Sequence, residues 1–200
     1  MEQRLVSSDG VEIVYDDLGR GPAVVLCHGL AAGARQLRSD ADYFAAKGFR
    51  VLVPDLRGHG RSGRPVPLDG TMMGLPRLAG DLLGMLDHAG SGPVHWVGNS
   101  LGGILALQLL AEGHVDRFRT LATFGTAFRL DLPGELAPLL PAMHGLLGKR
   151  LSGWLVAQAT TRNHAARPVI AELIEAFDPQ VGLHLVRNLA RYDLRAAGAA

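Results

Sequence analysis

The stretch Val94-His95-Trp96-Val97-Gly98-Asn99-Ser100-Leu101-Gly102-Gly103 decides the reading of this chain. Residues 94–97 read as a strand, and residues 101–111 are apolar nearly all round, which reads as a buried helix. Gly98-Asn99-Ser100-Leu101-Gly102 joins the two as G-x-S-x-G. Small residues two before and two after the serine let neighbouring backbone approach a sharp turn, and that turn lifts the hydroxyl above the sheet. The helix that follows aims its free N–H groups and positive dipole end at the same place. The alternative is a glycine-rich turn carrying an idle serine. Ser100 is therefore expected at a strained turn between a strand ending near Gly98 and a helix beginning near Leu101. Its hydroxyl should face a pocket beneath the segment 130–195.

Outward from that stretch, the chain alternates. Ala23-Val24-Val25-Leu26-Cys27 is a short apolar run that reads as a strand buried on both faces. Leu37, Ala41 and Phe44 mark a helix over 36–47, ended by Gly48, and 49–53 is the next strand, stopped by Pro54. A turn-rich loop fills 55–73. Leu75, Leu78, Leu82, Met85 and Leu86 line one face of a helix over 75–89, and 119–124 reads as a strand. Strand-helix alternation from about 23 to 124 argues a parallel sheet with helices on both faces, an α/β class. Residues 2–7 and 11–18 flank Ser8-Asp9-Gly10 as a hairpin. From about 130 the rhythm stops. Residues 133–195 hold Pro133, Pro138, Pro141, Pro168 and Pro179 between helical stretches, with no strand expected.

Two further segments join the serine turn. His28-Gly29-Leu30 directly follows the strand at 23–27, and Asp55-Leu56-Arg57-Gly58-His59-Gly60-Arg61-Ser62 follows the strand at 49–53. With G-x-S-x-G they resemble the α/β-hydrolase superfamily, over about the first 125 residues. The resemblance implies a mostly parallel sheet as residues 1–129, a helical cap over 130–195, and a tail at 196–200. It also implies that Ser100 is the nucleophile and that the backbone N–H groups of Leu30 and Leu101 form an oxyanion hole. His28 is expected to order its loop, and the Asp55–Ser62 segment to be architectural. Phe128, Met143, Leu147 and Trp154 are candidate pocket walls.

A serine nucleophile needs a base and an acid that orients the base. In the resembled family these follow the serine on loops after late strands. No such strands are legible here, so the C-terminal strands are expected to be missing, and the base and acid to lie beyond residue 200. His114, His144, His164 and His184 follow Ser100 without a strand-end context, as do Asp116, Asp131, Asp178 and Asp193. Asp131, a few residues past the last strand, is the least poor of these acids.

Composition narrows the classes. The chain has 200 residues and a formal net charge of +1, with 20 basic and 19 acidic residues interspersed, so no patch suits nucleic acid. Mean hydropathy is +0.15, yet no run approaches the ~18 apolar residues of a membrane span. A single cysteine, Cys27, excludes an internal disulfide, and a reducing, cytoplasmic location is the default. Neither metal-ligand spacing nor a phosphate loop is present, so no cofactor is implied, and the partner is a small-molecule substrate. The expected activity is hydrolysis of an ester, lactone or similar acyl bond through a Ser100 acyl-enzyme. A carbon–carbon bond hydrolase of aromatic degradation and a non-catalytic small-molecule or partner-binding module are the alternatives.

Overall fold

The structure, a computed structural model, describes residues 1–130, 142 and 145–199. Strands β1 (Glu2–Val6), β2 (Glu12–Gly19), β3 (Ala23–Cys27), β4 (Arg50–Pro54), β5 (Val94–Asn99) and β6 (Phe118–Phe124) form one sheet, in the order β1-β2-β4-β3-β5-β6. β1 and β2 are an antiparallel hairpin, and β2 is antiparallel to β4. From β4 through β3 and β5 to β6 the pairing is parallel. The hairpin turns at Gly10, whose φ of 84° is open to glycine at no steric cost.

Alternation along the central strands builds two cores. Val24 and Leu26 of β3, with Val51 and Val53 of β4, face helix α1 (Arg38–Ala46). Val25, Cys27 and Leu52 point the other way, toward α2 (Leu75–His88) and α3 (Leu101–Ala111). Burial on both faces is why these strands read as unbroken apolar runs. The helix expected over 36–47 is in fact two pieces. A 3-10 turn at Ala34–Leu37 precedes α1, because the Ala34 N–H donates to the Asp55 carboxylate (2.7 Å) and holds the chain in a tighter first turn.

Further along the described residues lie α4 (Lys149–Thr160), α5 (Arg167–Ala176) and α6 (Pro179–Leu189). Asp178 caps α6 by accepting the Gln180 N–H at 2.8 Å. Val181, Leu185 and Leu189 of α6 join the larger core, and Asn188 Nδ2 donates to the carbonyls of Gly70 and Met73. The chain then returns beside the end of β6. The Leu194 N–H donates to the Phe128 carbonyl (2.7 Å), and the Tyr192 hydroxyl to the Ala127 carbonyl (2.6 Å). Among the described residues no strand follows β6; Arg129 and Asp193 form a single antiparallel bridge. No helix among the described residues is long and apolar enough to cross a membrane.

Candidate active site

Ser100 sits where β5 passes into α3, at φ 49° and ψ −112°. A non-glycine residue held there is strained, and such strain persists only where the surroundings over-determine it. Four hydrogen bonds do so. The Ser100 N–H donates to the Phe124 carbonyl at 2.9 Å, its carbonyl accepts the N–H groups of Gly103 and Ile104, and the Thr126 hydroxyl adds a third donor at 3.1 Å. Side chains are excluded from the turn itself. A Cβ on Gly98 would lie 2.6 Å from Gly103, and one on Gly102 would lie 2.3 Å from the Cys27 carbonyl oxygen. The glycine spacing is thus a packing requirement. Trp96 Nε1 donates to the Gly102 carbonyl (3.1 Å) and pins the turn from below.

The loop after β3 lies beside this turn. A Cβ on Gly29 would be 3.3 Å from that of Ser100, so only glycine gives this approach without displacement. His28 is buried and bonded at both ring nitrogens. Nε2 accepts the Leu56 N–H (3.1 Å), which leaves Nδ1 to donate to the Gly29 carbonyl (2.7 Å). This network describes a neutral imidazole. Burial also pushes its pKa down to about 4. His28 therefore orders the loop and has no free nitrogen with which to take a proton from Ser100. Asp55 holds the next part of the loop through Ala34 and receives Arg61 Nε at 2.7 Å. Arg57 is buried between Asp9 and Asp81, with Nε 2.6 Å from Asp81. Gly58 and Gly60 have φ of 71° and 51°, as the turn between these charged anchors requires.

Ser100 opens onto a cavity of about 530 Å³, a size suited to a small-molecule ligand. The floor comes from Gly29–Ala32, Asn99, Ser100 and Phe124, at the carboxyl ends of β3, β5 and β6. The roof comes from Val156 on α4, the connection after it, and Ile170, Leu173, Ile174 and Phe177 on or just after α5. The Ser100 hydroxyl makes no hydrogen bond among the described residues. Leu30 lines the cavity, while Leu101 is the first, buried residue of α3. Neither the Leu30 nor the Leu101 N–H donates to a backbone carbonyl among the described residues.

Three of the four wall candidates do not line the cavity. Phe128, Leu147 and Trp154 are outside the cavity lining and exposed to solvent, and Met143 lies outside the described residues. The roof instead follows Ala166, Ile170, Leu173, Ile174 and Phe177, spaced i, i+4, i+7, i+8 and i+11, a helical stripe present in the sequence. Asn99 and Gln36 also line the cavity without having been singled out. His114, His164 and His184 do not line it; His164 Nδ1 lies 3.0 Å from Arg167, on the surface. Asp116 lies in a short 3-10 turn, Asp178 pairs with Arg64, and Asp193 pairs with Arg195. His144 and Asp131 lie outside the described residues.

A family described as the alpha/beta hydrolase fold matches residues 22–170. Epoxide hydrolase A of Mycobacterium tuberculosis is 35% identical over 149 residues, which are 74% of this chain and 44% of that protein. This chain therefore spans less than half of that relative's length. Among solved structures, an esterase from Exiguobacterium antarcticum superposes with a TM-score of 0.85 at 20% identity, covering 98% of this chain and 76% of that one. The enol-lactonase from Burkholderia xenovorans LB400 superposes with a TM-score of 0.81 at 24% identity, covering 97% of this chain and 75% of that one. At those identities the two structures bear on the fold alone.

Proposed function

The chain belongs to the alpha/beta hydrolase fold family, and on that footing we propose that it carries the nucleophile half of a serine hydrolase acting on an ester, lactone or similar acyl bond. One observation carries the reading. A strained serine, with an unbonded hydroxyl, stands ahead of a helix N-terminus on the floor of a ligand-sized cavity. The Ser100 oxygen attacks the acyl carbon and loses its proton to a base. The carbonyl oxygen takes the negative charge and accepts the N–H groups of Leu30 and Leu101, two donors of which each is worth ~10²–10³ in rate. The bond to the leaving oxygen breaks and that oxygen takes a proton. Water then adds to the acyl-enzyme and releases a carboxylic acid and free Ser100. No described histidine lines the cavity, so the proton acceptor is assigned to a residue outside the described ones. Residues 130–195 serve as the cap.

Nucleophile chemistry separates this reading from that of the epoxide hydrolase relative. A serine opening an epoxide would form an ether, which addition of water to a carbonyl cannot release. A serine acyl ester is released in that way, so Ser100 fits acyl transfer. A second reading, a non-catalytic module that binds a small molecule, draws support from the lack of a described base at the cavity.

Fluorophosphonate labelling separates the two. The 200-residue chain should label slowly, at Ser100 alone by peptide mass spectrometry, faster at pH 9 than at pH 7, and not at all as Ser100→Ala. Absence of labelling at Ser100 after prolonged exposure at either pH would favour the binding module.

A further inference from the structure

On the far side of the cavity roof lies a second pocket of about 180 Å³. It too is mainly apolar, with Ala176 and Val181 among its walls, and it carries a charged pair at its edge. Its lining includes Gly58, Ser62, Arg64 and Asp178, and Arg64 pairs with Asp178 at 2.6 Å. Ala32, Leu173 and Phe177 line both spaces. Phe177 is the largest of the three and is itself buried, so its ring is the bulkiest side chain standing between the two spaces.

That ring is held on three sides. Phe177 stands at the corner between α5 and α6, its N–H donating to the Ile174 carbonyl. The next residue, Asp178, is fixed as the cap of α6 and as the partner of Arg64. Behind it, the His59 ring lies 4.8 Å away, with the His28 ring 5.2 Å beyond that. His59 is buried, and its Nε2 has no hydrogen-bond partner. The anchors belong to the backbone corner and to the loops beneath, so shortening the side chain removes the partition without removing what positions it.

We propose that Phe177 is a specificity-determining residue: it sets how long an acyl chain the cavity accepts by closing it off from the second pocket. This rests on the reading of the Ser100 cavity as an acyl site. The second pocket has about a third of the volume of the first, so annexing it lengthens the accepted chain by a few methylenes.

Calorimetric titration of the full 200-residue chain with methyl ketones from 2-hexanone to 2-dodecanone tests this. These are neutral, carry the carbonyl and cannot be hydrolysed. Each buried methylene should raise affinity about fourfold until the chain meets Phe177, after which affinity levels off. In Phe177→Ala the break should move to a longer ketone, which then binds at least tenfold tighter than to the unaltered chain, while the shortest ketones bind as before. Phe177→Leu should shift the break less and keeps the proposal testable if the alanine variant does not fold. Adding Ala176→Leu, which fills the second pocket, to Phe177→Leu should restore the original break. An unmoved break, or an equal change at every length, overturns the proposal. Labelling of Ser100 is scored separately. A length break without labelling leaves Phe177 in its role and removes the acyl chemistry; labelling with an unmoved break does the reverse.

Discussion

Strand β5 has two parallel neighbours of opposite character. On one side β3 is five residues long, its last four residues are buried, and they alternate between two cores. On the other side β6 is seven residues long and none is buried. It lies at the sheet edge, with Phe118 and Leu121 only partly covered and Phe124 exposed. The turn at Ser100 leans on both. Gly102 abuts the carbonyls of Cys27 and His28 at the end of β3, whereas Gly103 abuts the side chains of Thr123 and Thr126 at the end of β6. The contacts on the β3 side are backbone and cannot yield. Those that Gly103 meets on the β6 side are side chains, and the nearest, the Thr126 hydroxyl, can rotate. β3 thus limits the bulk that the elbow can carry, whereas β6 holds the elbow by hydrogen bonds to the Phe124 carbonyl and from the Thr126 hydroxyl.

The sharpest way to break this contrast is the pair of alanine substitutions at adjacent glycines. In Gly102→Ala the new Cβ would lie 2.3 Å from a backbone oxygen, and a loss of about 3 kcal/mol or more is expected in urea unfolding. In Gly103→Ala the nearest atom, 2.2 Å away, is the Thr126 hydroxyl, which can turn aside. About 1 kcal/mol is expected there, and equal losses would show that both sides are rigid. Next in size, Leu26→Ala empties a buried site on β3 and should cost about 2–5 kcal/mol. Leu121→Ala, half-buried on β6, should cost about 1 kcal/mol in the same assay.

Acid should act through the β3 side. Burial pushes His28 down to about 4, and burial together with the neighbouring His28 charge pushes His59 down to about 3. In the unfolded chain both titrate near 6.5. The unfolded state therefore takes up protons first, and stability is complete above pH 6.5 and falls as the pH drops toward 4 and then 3. Each histidine contributes a slope of about 1.4 kcal/mol per pH unit within its window. Unfolding measured between pH 6.5 and 4.5, above most carboxylate titration, should show the fall, and a flat profile there would mean that these rings are not buried neutral. The smallest effect belongs to the pair Arg35–Glu172 (2.8 Å), which links the loop after β3 to α5 with both partners exposed. Removing it should cost about 0.5 kcal/mol or less, vanishing in high salt.

The same contrast accounts for what was legible in the sequence. β3 and β4 are buried on both faces, so their apolar runs carry the signal, and α3 announces itself because nearly every residue on it is covered. The Ser100 turn was legible for a stronger reason: each glycine in it excludes a Cβ that would overlap backbone or a neighbouring side chain. The roof was not legible, because nothing local in the sequence marks which helical residues will face a cavity. Ile170, Leu173 and Ile174 are ordinary helix residues whose task follows only from where α5 is laid down. The 3-10 turn at Ala34–Leu37 was hidden as well, since its cause, the Asp55 carboxylate, is 21 residues away in the chain.

The positive φ of Ser100 carries a further consequence for anyone engineering this protein. Glycine would occupy φ 49° without the ~1–3 kcal/mol that such a conformation costs other residues, and would give back less than ~1 kcal/mol through its freer unfolded chain. Ser100→Gly should therefore melt higher than the original. A thermostability screen run on this scaffold with no readout of chemistry would select that substitution early, and would discard the one hydroxyl on which the proposed reaction depends.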